Sequence, residues 1–175
     1  VLFRSMEEVA RRLHLDMSYK VKNGLRNDEL YTHAPVTVSF PEAEERQVIK
    51  VVVTPVDSVT VRLSDFSLAV GGGGVRSEEV LDVHLNDTVS TPIGPMVITP
   101  TLYYTDVFYG KPVNVVKSNL EGVIEGYRGR LKVSLAGKTT TIINLVLDDV
   151  STARAEDILN MLIAVYNEDV INDKN

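Results

Sequence analysis

The chain has 175 residues, a formal net charge of -6 at pH 7 and no cysteine, with 44% hydrophobic and 24% charged residues. These values predict one soluble globular domain with a substantial core. They argue against a nucleic-acid or anionic-membrane surface, because both of those partners require clustered Lys and Arg. The lack of cysteine excludes disulfide scaffolds, thiol catalysis and cysteine zinc sites.

No apolar run approaches the roughly 20 residues that a membrane helix requires, and no signal peptide is recognisable. The chain begins without methionine and carries Arg4 close to its start. We therefore expect it to be a fragment of a longer protein, with residues 1–175 forming a single domain.

The first third of the chain predicts a helix followed by short strands. Ser5 and Glu8 have the spacing of a capping box, which predicts where the helix begins. The polar segment 24–35 is predicted as a loop, because Asn23 and Gly24 interrupt the first strand. The apolar positions that define the elements are Met6, Val9, Ala10 and Leu13 in the helix and the alternating residues of strands at 17–21, 36–40, 48–54 and 59–63.

Between residues 64 and 95 the alternation of apolar and polar residues weakens. The four consecutive glycines at 71–74 are predicted to form a mobile loop, because glycine alone does not hold a fixed backbone conformation. Further strands are predicted at 81–85, 96–99 and 113–116, with a turn at Gly94.

A second helix is predicted after this last strand, beginning with a capping box formed by Ser118 and Glu121. Gly122 and Gly126 weaken it, and we expect them to permit the close approach of another backbone. The predicted buried face consists of Leu120, Val123, Ile124 and Tyr127.

Residues 130–168 predict the unit around which the chain is organised, which is strand, turn, strand and helix. Leu131, Val133 and Leu135 alternate with polar residues, and residues 136–138 form the turn. The return strand is apolar on both faces, with Ile143, Leu145 and Leu147 on one face and Ile142 and Val146 on the other. Such a strand is typically covered on both sides, so we predict that it is central to a sheet.

The last helix is predicted to begin at Ser151 as its N-cap. Its apolar face consists of Ala155, Ile158, Leu159, Leu162, Val165 and Tyr166. The whole order of elements predicts an α+β fold, in which three amphipathic helices pack against a mixed, mainly antiparallel sheet.

No pattern of residues indicates an active site, so we predict no catalytic, cofactor-binding or metal-binding residue. Gly137-Lys138-Thr139 resembles the end of a phosphate-binding loop, but Lys132 occupies the position where that motif requires its first glycine. A strand rather than a helix is predicted to follow, which favours a hairpin turn. His14, His33 and His84 have no second ligand at metal spacing beside them.

Two pairs of acids are explained by their place in the predicted elements. Asp148 and Asp149 end a strand, and Glu156 and Asp157 are predicted in the first turn of a helix, where negative charge is favourable. The better candidate for contact is the segment 103–109, whose tyrosines could stack on a sugar face or anchor a protein interface. A packed loop with satisfied hydroxyls is the alternative.

The end of the chain follows a pattern of strand, turn, strand ending in acid, and helix. The helix has the pattern A-x-x-[IL]-[LA]-N-x-L-x-x-x-Y, formed here by Ala155, Ile158, Leu159, Asn160, Leu162 and Tyr166. Together with the opening SMEEVARRLHLDMSY, it resembles the periplasmic domain of Wzz-type chain-length determinants. The likeness is greatest to the exopolysaccharide and capsule co-polymerases of Bacteroides-like bacteria, which are often joined to a cytoplasmic tyrosine kinase.

The resemblance implies a periplasmic base domain of an inner-membrane protein, here without the two membrane spans, the long projecting helices and the kinase motifs. It implies no enzymatic activity, but assembly of copies and contact with a polysaccharide polymerase or the glycan. In such an assembly we expect the first or last helix to lie at the contacts. The alternative is a free-standing carbohydrate- or peptide-binding module that uses Tyr103–Tyr109.

Overall fold

The computed structural model describes residues 2–174, which form an α+β fold with three helices and antiparallel sheets. The predicted fold class is therefore confirmed. The chain divides into two compact units, one made of Val1–Leu15 with Leu120–Asn175 and the other of Asp16–Asn119. We call them the terminal unit and the central unit. The assignment of residues 1–175 to a single domain stays a prediction.

The helices are α1 (Leu2–Arg12), α2 (Leu120–Arg130) and α3 (Thr152–Lys174). The strands are β1 (Met17–Asn23), β2 (Arg26–Glu29), β3 (Val36–Ser39), β4 (Val48–Pro55), β5 (Thr60–Val70), β6 (Gly73–Ser77), β7 (Leu81–His84), β8 (Thr88–Val89), β9 (Met96–Pro100), β10 (Val113–Lys117), β11 (Leu131–Leu135) and β12 (Ile143–Leu147). Short 3₁₀ turns occupy Tyr31–His33 and Asp106–Phe108.

The central unit contains two antiparallel sheets that share one hydrophobic core. One has seven strands in the order β2-β1-β10-β4-β5-β6, with β7 also paired to β5, and the other has the order β3-β9-β8. Apolar residues alternate along the strands, so that each sheet contributes one face. The largest fully buried side chains of this core are Ile49, Val51, Val53, Leu63 and Phe66 from the first sheet and Val36, Met96 and Ile98 from the second.

Two polar side chains are buried in the central unit, and each has partners. The Val38 amide donates to the Tyr19 hydroxyl at 3.0 Å, which joins a strand of one sheet to a strand of the other. The Lys117 ammonium donates to the carbonyls of Glu44, Glu45 and Gln47, each at 2.8 Å. Burial lowers the pKa of Lys117. Because all three donors of the ammonium are used, the lysine holds the backbone of residues 44–47 in place.

Strand β5 is much longer than the predicted strand at 59–63. A bulge in its pairing with β4 lies between Lys50 and Val52, and Asp65 opposite it has a φ of 52°. Val61 and Leu63 face the core, and because of the extra residue the next side chain that does so is Phe66. The regular alternation is broken at that point, and this is why the sequence pattern weakens after residue 63.

The prediction of a mobile glycine loop at 71–74 is wrong. Gly71, with a φ of 57°, lies in the turn of a hairpin, and Gly73 and Gly74 begin β6 and pair with β5. At Gly74 a Cβ atom would lie 2.5 Å from the Leu68 carbonyl oxygen. Gly74 therefore allows a close backbone approach in a defined hairpin.

The predicted polar loop at 24–35 is also partly wrong, because Arg26–Glu29 forms β2 and pairs with β1. Gly24 has a φ of 65° and lies in the turn between these strands. An edge strand whose side chains are mostly exposed carries no alternation of apolar residues, so its composition resembles that of a loop.

The terminal unit has a separate core in which the three helices pack with the base of a two-stranded hairpin. The predicted faces are confirmed for Leu120, Ile124 and Tyr127 in α2 and for Ala155, Ile158, Leu162 and Val165 in α3. The Ser151 hydroxyl accepts from the Arg154 amide at 3.1 Å, which confirms the predicted N-cap.

Three predictions about the helices are wrong. Helix α1 begins at Leu2, so Ser5 lies inside it; its hydroxyl is buried and donates to Asp169 of α3 at 3.5 Å. No atom lies within 4 Å of a Cβ built on Gly122 or Gly126, so these glycines permit no close backbone contact. Glu156 and Asp157 are outside the first turn of α3, because that helix begins at Thr152.

The predicted central strand is also wrong. Strands β11 and β12 form a two-stranded sheet and pair only with each other within the described residues. Leu131 and Leu147 at the base are buried, but Leu135 and Ile143 near the tip are 63% and 50% exposed. A strand that is apolar on both faces is therefore not always central to a sheet. Here the strand is left uncovered near the tip of the hairpin.

Replacing Gly74 with alanine tests the close approach in the β5–β6 hairpin. We expect Gly74→Ala to lower the free energy of unfolding by about 1–3 kcal/mol, because the backbone must shift to accommodate the methyl group. The matched control is Gly72→Ala, where no atom lies within 4 Å of the added carbon and no loss is expected. Urea denaturation followed by circular dichroism gives both values. Equal stability of the two variants would contradict the close approach.

Candidate contact surfaces

The tyrosine segment of the central unit is a fixed loop on the surface. The Tyr104 hydroxyl donates to the Asp57 carbonyl at 2.7 Å, and the Gly110 amide donates to the Pro55 carbonyl at 2.8 Å. At its start, the Thr101 hydroxyl donates to the Ala34 carbonyl at 2.6 Å. Burial raises the pKa of Tyr104 to about 12. These bonds hold the backbone between β9 and β10 in one shape.

The tyrosines of this loop have different roles. Tyr104 is half-buried and anchors the loop, whereas Tyr103 and Tyr109 are 42% and 36% exposed. The Tyr103 ring lies 4.7 Å from the His33 ring, centroid to centroid, at an interplanar angle of 52°. The packed-loop alternative therefore holds for Tyr104, and the contact role of the segment stays a prediction.

This loop shares one end of the seven-stranded sheet with two tight turns. Strand β1 runs antiparallel to β10 with Lys20 opposite Asn114, so the β1–β2 turn at 24–25 lies near the beginning of β10. Val53 of β4 is opposite Val113, which brings the β4–β5 turn at 56–59 to the same level. We call residues 24–25, 56–59 and 102–111 together the turn cluster.

Exposed apolar side chains are concentrated in the turn cluster. Leu25 and Leu102 are 107% and 97% exposed, and Val107 and Val59 are 62% and 56% exposed. Val56 and the two tyrosines named above add smaller exposed areas. Single exposed leucines are common on protein surfaces, but several on adjoining turns are not.

A second apolar surface is the hairpin of the terminal unit. Val133, Leu135, Ile143 and Leu145 share one face, since Leu135 pairs with Ile143 and Val133 with Leu145. We call these four residues the hairpin face. Leu131 lies on the same side of the hairpin and is buried in the core. Beyond Leu131 the hairpin face extends out of the core and is uncovered. Ile142 and Val146, which lie outside this set, are 63% and 49% exposed.

A buried ion pair in the terminal unit joins the end of the hairpin to α3. Arg154 donates to both carboxylate oxygens of Asp149 at 2.6 and 2.7 Å, and the Tyr127 hydroxyl donates to the same carboxylate at 3.1 Å. The side chains of Asp149 and Arg154 are 0% and 11% exposed. Burial alone would raise the pKa of Asp149, but the bonds and charge of Arg154 outweigh it and lower that pKa.

This cluster was not predicted from the sequence, because Asp149 was assigned only the role of ending a strand. The informative signal was the spacing of the acid from Arg154, five residues later and just past the N-cap of a helix. Asp148, the neighbour with which Asp149 was grouped, is exposed. The two acids therefore do not act as a pair, and the buried one is occupied by structural partners.

The remaining candidate positions are the histidines, the acids and the Gly137-Lys138-Thr139 segment. No group of three or more His, Asp or Glu residues within the described chain has the arrangement needed to hold a metal ion. Gly137-Lys138-Thr139 lies in the connection between β11 and β12, as the hairpin reading predicted. Beside β6 lies an open depression of about 460 Å³, whose charged lining residues are Arg76 and Glu79.

Comparison with protein-family models gives no match for this chain, and comparison with curated proteins gives none either. Among residues 2–174, none of the helices has the length and apolar content to cross a membrane. The resemblance to Wzz-type domains therefore stays a prediction.

Removing the charge of Asp149 tests the buried pair. We expect Asp149→Asn to lower the free energy of unfolding at pH 7 by about 3–5 kcal/mol, because it leaves the Arg154 guanidinium buried without a counter-charge. Asp148→Asn, at the exposed neighbouring position, should change it by no more than about 0.5 kcal/mol. Urea denaturation measures both.

The effect of Asp149→Asn should also depend on pH. The folded pKa of Asp149 is lowered, so its carboxylate stabilises the native chain fully above the ordinary carboxyl pKa of about 4. That contribution is lost as pH falls through the lowered pKa. The stability difference between the native chain and the variant should therefore shrink in acid, and a difference that stays constant from pH 7 to the acid limit of folding would contradict the assignment.

Proposed function

We propose that this chain is a non-enzymatic periplasmic domain of an inner-membrane polysaccharide co-polymerase, which regulates the chain length or export of capsular polysaccharide or exopolysaccharide. It acts by self-association and by contact with the polymerase or the glycan. The family assignment rests on the resemblance of the sequence. The observation that carries the mode of action is the hairpin face, a continuous apolar surface that one copy of the chain leaves uncovered.

The hairpin is suited to being covered by another copy of the chain. A two-stranded sheet is only marginally stable without further packing, and its outer edges carry backbone groups without ladder partners. Leu135 and Ile143 together expose aliphatic surface that covering would remove from water, at roughly 25 cal/mol for each Å². Apolar surface of this kind on a regular element is typical of a protein interface.

Polar side chains would give such an assembly its register. Glu156 and Asp157 are exposed near the start of α3, and Lys132 is exposed on the other face of the hairpin. Charges at the rim of an interface influence orientation and rate of association more than affinity. The first or the last helix thus remains our expected neighbour of the contact, as the resemblance implies.

A pair of substitutions on the hairpin face tests self-association. We expect Leu135→Ser/Ile143→Ser to shift sedimentation velocity profiles of the chain toward the monomer, because the apolar surface that drives contact becomes polar. Val146→Ser is the matched control, since this residue is exposed on the same hairpin but on its other face. In cells, the double variant in the parent protein should change the length distribution of the polysaccharide. A native chain that is monomeric at every concentration, or unaltered association of the double variant, would count against the proposal.

A second candidate function is a carbohydrate- or peptide-binding module that uses Tyr103–Tyr109. The observation that favours it is the exposed Tyr103 ring next to His33, on a loop that hydrogen bonds hold rigid. Such a preformed aromatic surface would bind with little loss of conformational entropy.

Titration with capsular oligosaccharides, followed by tyrosine fluorescence, tests this second candidate. We expect a saturable change that Tyr103→Ala abolishes and Tyr166→Phe, in the terminal unit, retains. Tyr104 is not a useful position for this test, because its hydroxyl anchors the loop. The absence of a saturable change with the native chain would reject the candidate.

A further inference from the structure

The turn cluster of the central unit has the chemistry of a surface that contacts lipid. Its most exposed residues, Leu25 and Leu102, are aliphatic and protrude from different connections between strands. Val107 adds an exposed aliphatic group on the same connection as Leu102, and Val59 adds one on the β4–β5 turn. All of them gather at one end of a sheet, although nothing in the packing of the central unit requires apolar residues there.

The polar groups in and around the cluster also fit a membrane interface. Tyr103 and Tyr109 combine an apolar ring with a hydroxyl, a combination that is enriched where headgroups meet acyl chains. Lys22 and Lys111 are exposed beside the turns and form no ion pair within the described residues. Their long side chains can reach lipid phosphates while the aliphatic turns point deeper.

Carboxylates limit how much of this contact can be electrostatic. Asp57 and Asp106 lie in the cluster, and Asp28 faces Arg26 at 3.8 Å beside it. The amides of Val59 and Thr60 donate to Asp57 and help to lower its pKa, so this group stays charged. With cations and anions nearly balanced, and a net charge of -6 for the whole chain, apolar transfer has to dominate.

We propose that the turn cluster inserts its leucine and valine side chains into the headgroup and upper acyl region of a zwitterionic lipid bilayer. A lipid surface is favoured over a rigid protein partner by shape. The exposed side chains stand on separate turns rather than along one groove or face, and a fluid bilayer adapts to separate points of insertion. This contact is independent of the hairpin face and of the family assignment.

Flotation with phosphatidylcholine vesicles tests the proposal on the chain as it exists. We expect the native chain to float with the vesicles, and Leu25→Ser/Leu102→Ser to lower the partition coefficient roughly tenfold or more, since two large aliphatic side chains lose their transfer to lipid. Val80→Ser/Val150→Ser is the control, because both valines are exposed outside the turn cluster. The control should bind as the native chain does, and circular dichroism should show that all three proteins are folded.

Other outcomes would overturn the proposal. The first is a native chain that stays with the soluble fraction, and the second is an equal loss of binding in the control. A third is binding that appears only with phosphatidylglycerol vesicles and disappears in high salt, because that would make charge the driving force. A fourth is a double variant that binds vesicles normally but changes its sedimentation, which would assign the cluster to a protein contact. Loss of self-association in the hairpin variants would leave this test unaffected.

Discussion

The central unit depends on a β-bulge in one strand, β5, which changes which of its side chains face the core. Strand β5 pairs with β4 on one side and with both β6 and β7 on the other, so its register fixes three neighbours. The bulge at Asp65 lets Leu63 and Phe66 both face the core, although they are three positions apart in the sequence. Without the extra residue, the second half of the strand would turn its apolar side chains to the opposite face, because side chains alternate with a period of two.

The bulge explains much of what could and could not be predicted from the sequence of the central unit. The strands at β3, β4, β9 and β10 were predictable because each has an apolar residue at every second position without interruption. The second half of β5 was not, since a rule based on a constant period loses the signal at a bulge. Strand β2 and the two-residue strand β8 were missed for another reason: an exposed or very short edge strand is specified by its partner rather than by its own residues.

In the terminal unit the error was the opposite. A strong local pattern led to the prediction of a central strand that the structure does not have. The alternation in β11 and β12 is real, and it correctly predicts two antiparallel strands with a turn between them. Alternation reports that a face is apolar, however, and not what covers that face. The helices were easier to predict, because an amphipathic helix such as α3 buries its stripe against elements of the same unit. The predicted start of α1, at Met6 after a Ser5 cap, was wrong by four residues. The spacing of Ser5 and Glu8 fits a capping box, but it is equally compatible with a buried serine inside the helix.

The buried ionisable groups of this chain differ from its exposed apolar groups, because only the ionisable ones are explained by their contacts within the described structure. Asp149 forms an ion pair with Arg154, and Lys117 donates hydrogen bonds to three carbonyl groups, so each of these perturbed groups has structural partners. The surface features that structure leaves unexplained are apolar instead, and they differ in geometry. The hairpin face lies on a regular ladder, where side chains have fixed spacings that a second folded surface can match. The turn cluster presents side chains on separate connections, with no common spacing to match, and a deformable phase suits it better. The two proposals differ for this reason: we propose a second copy of the chain as the partner of the hairpin face, and a bilayer as the partner of the turn cluster.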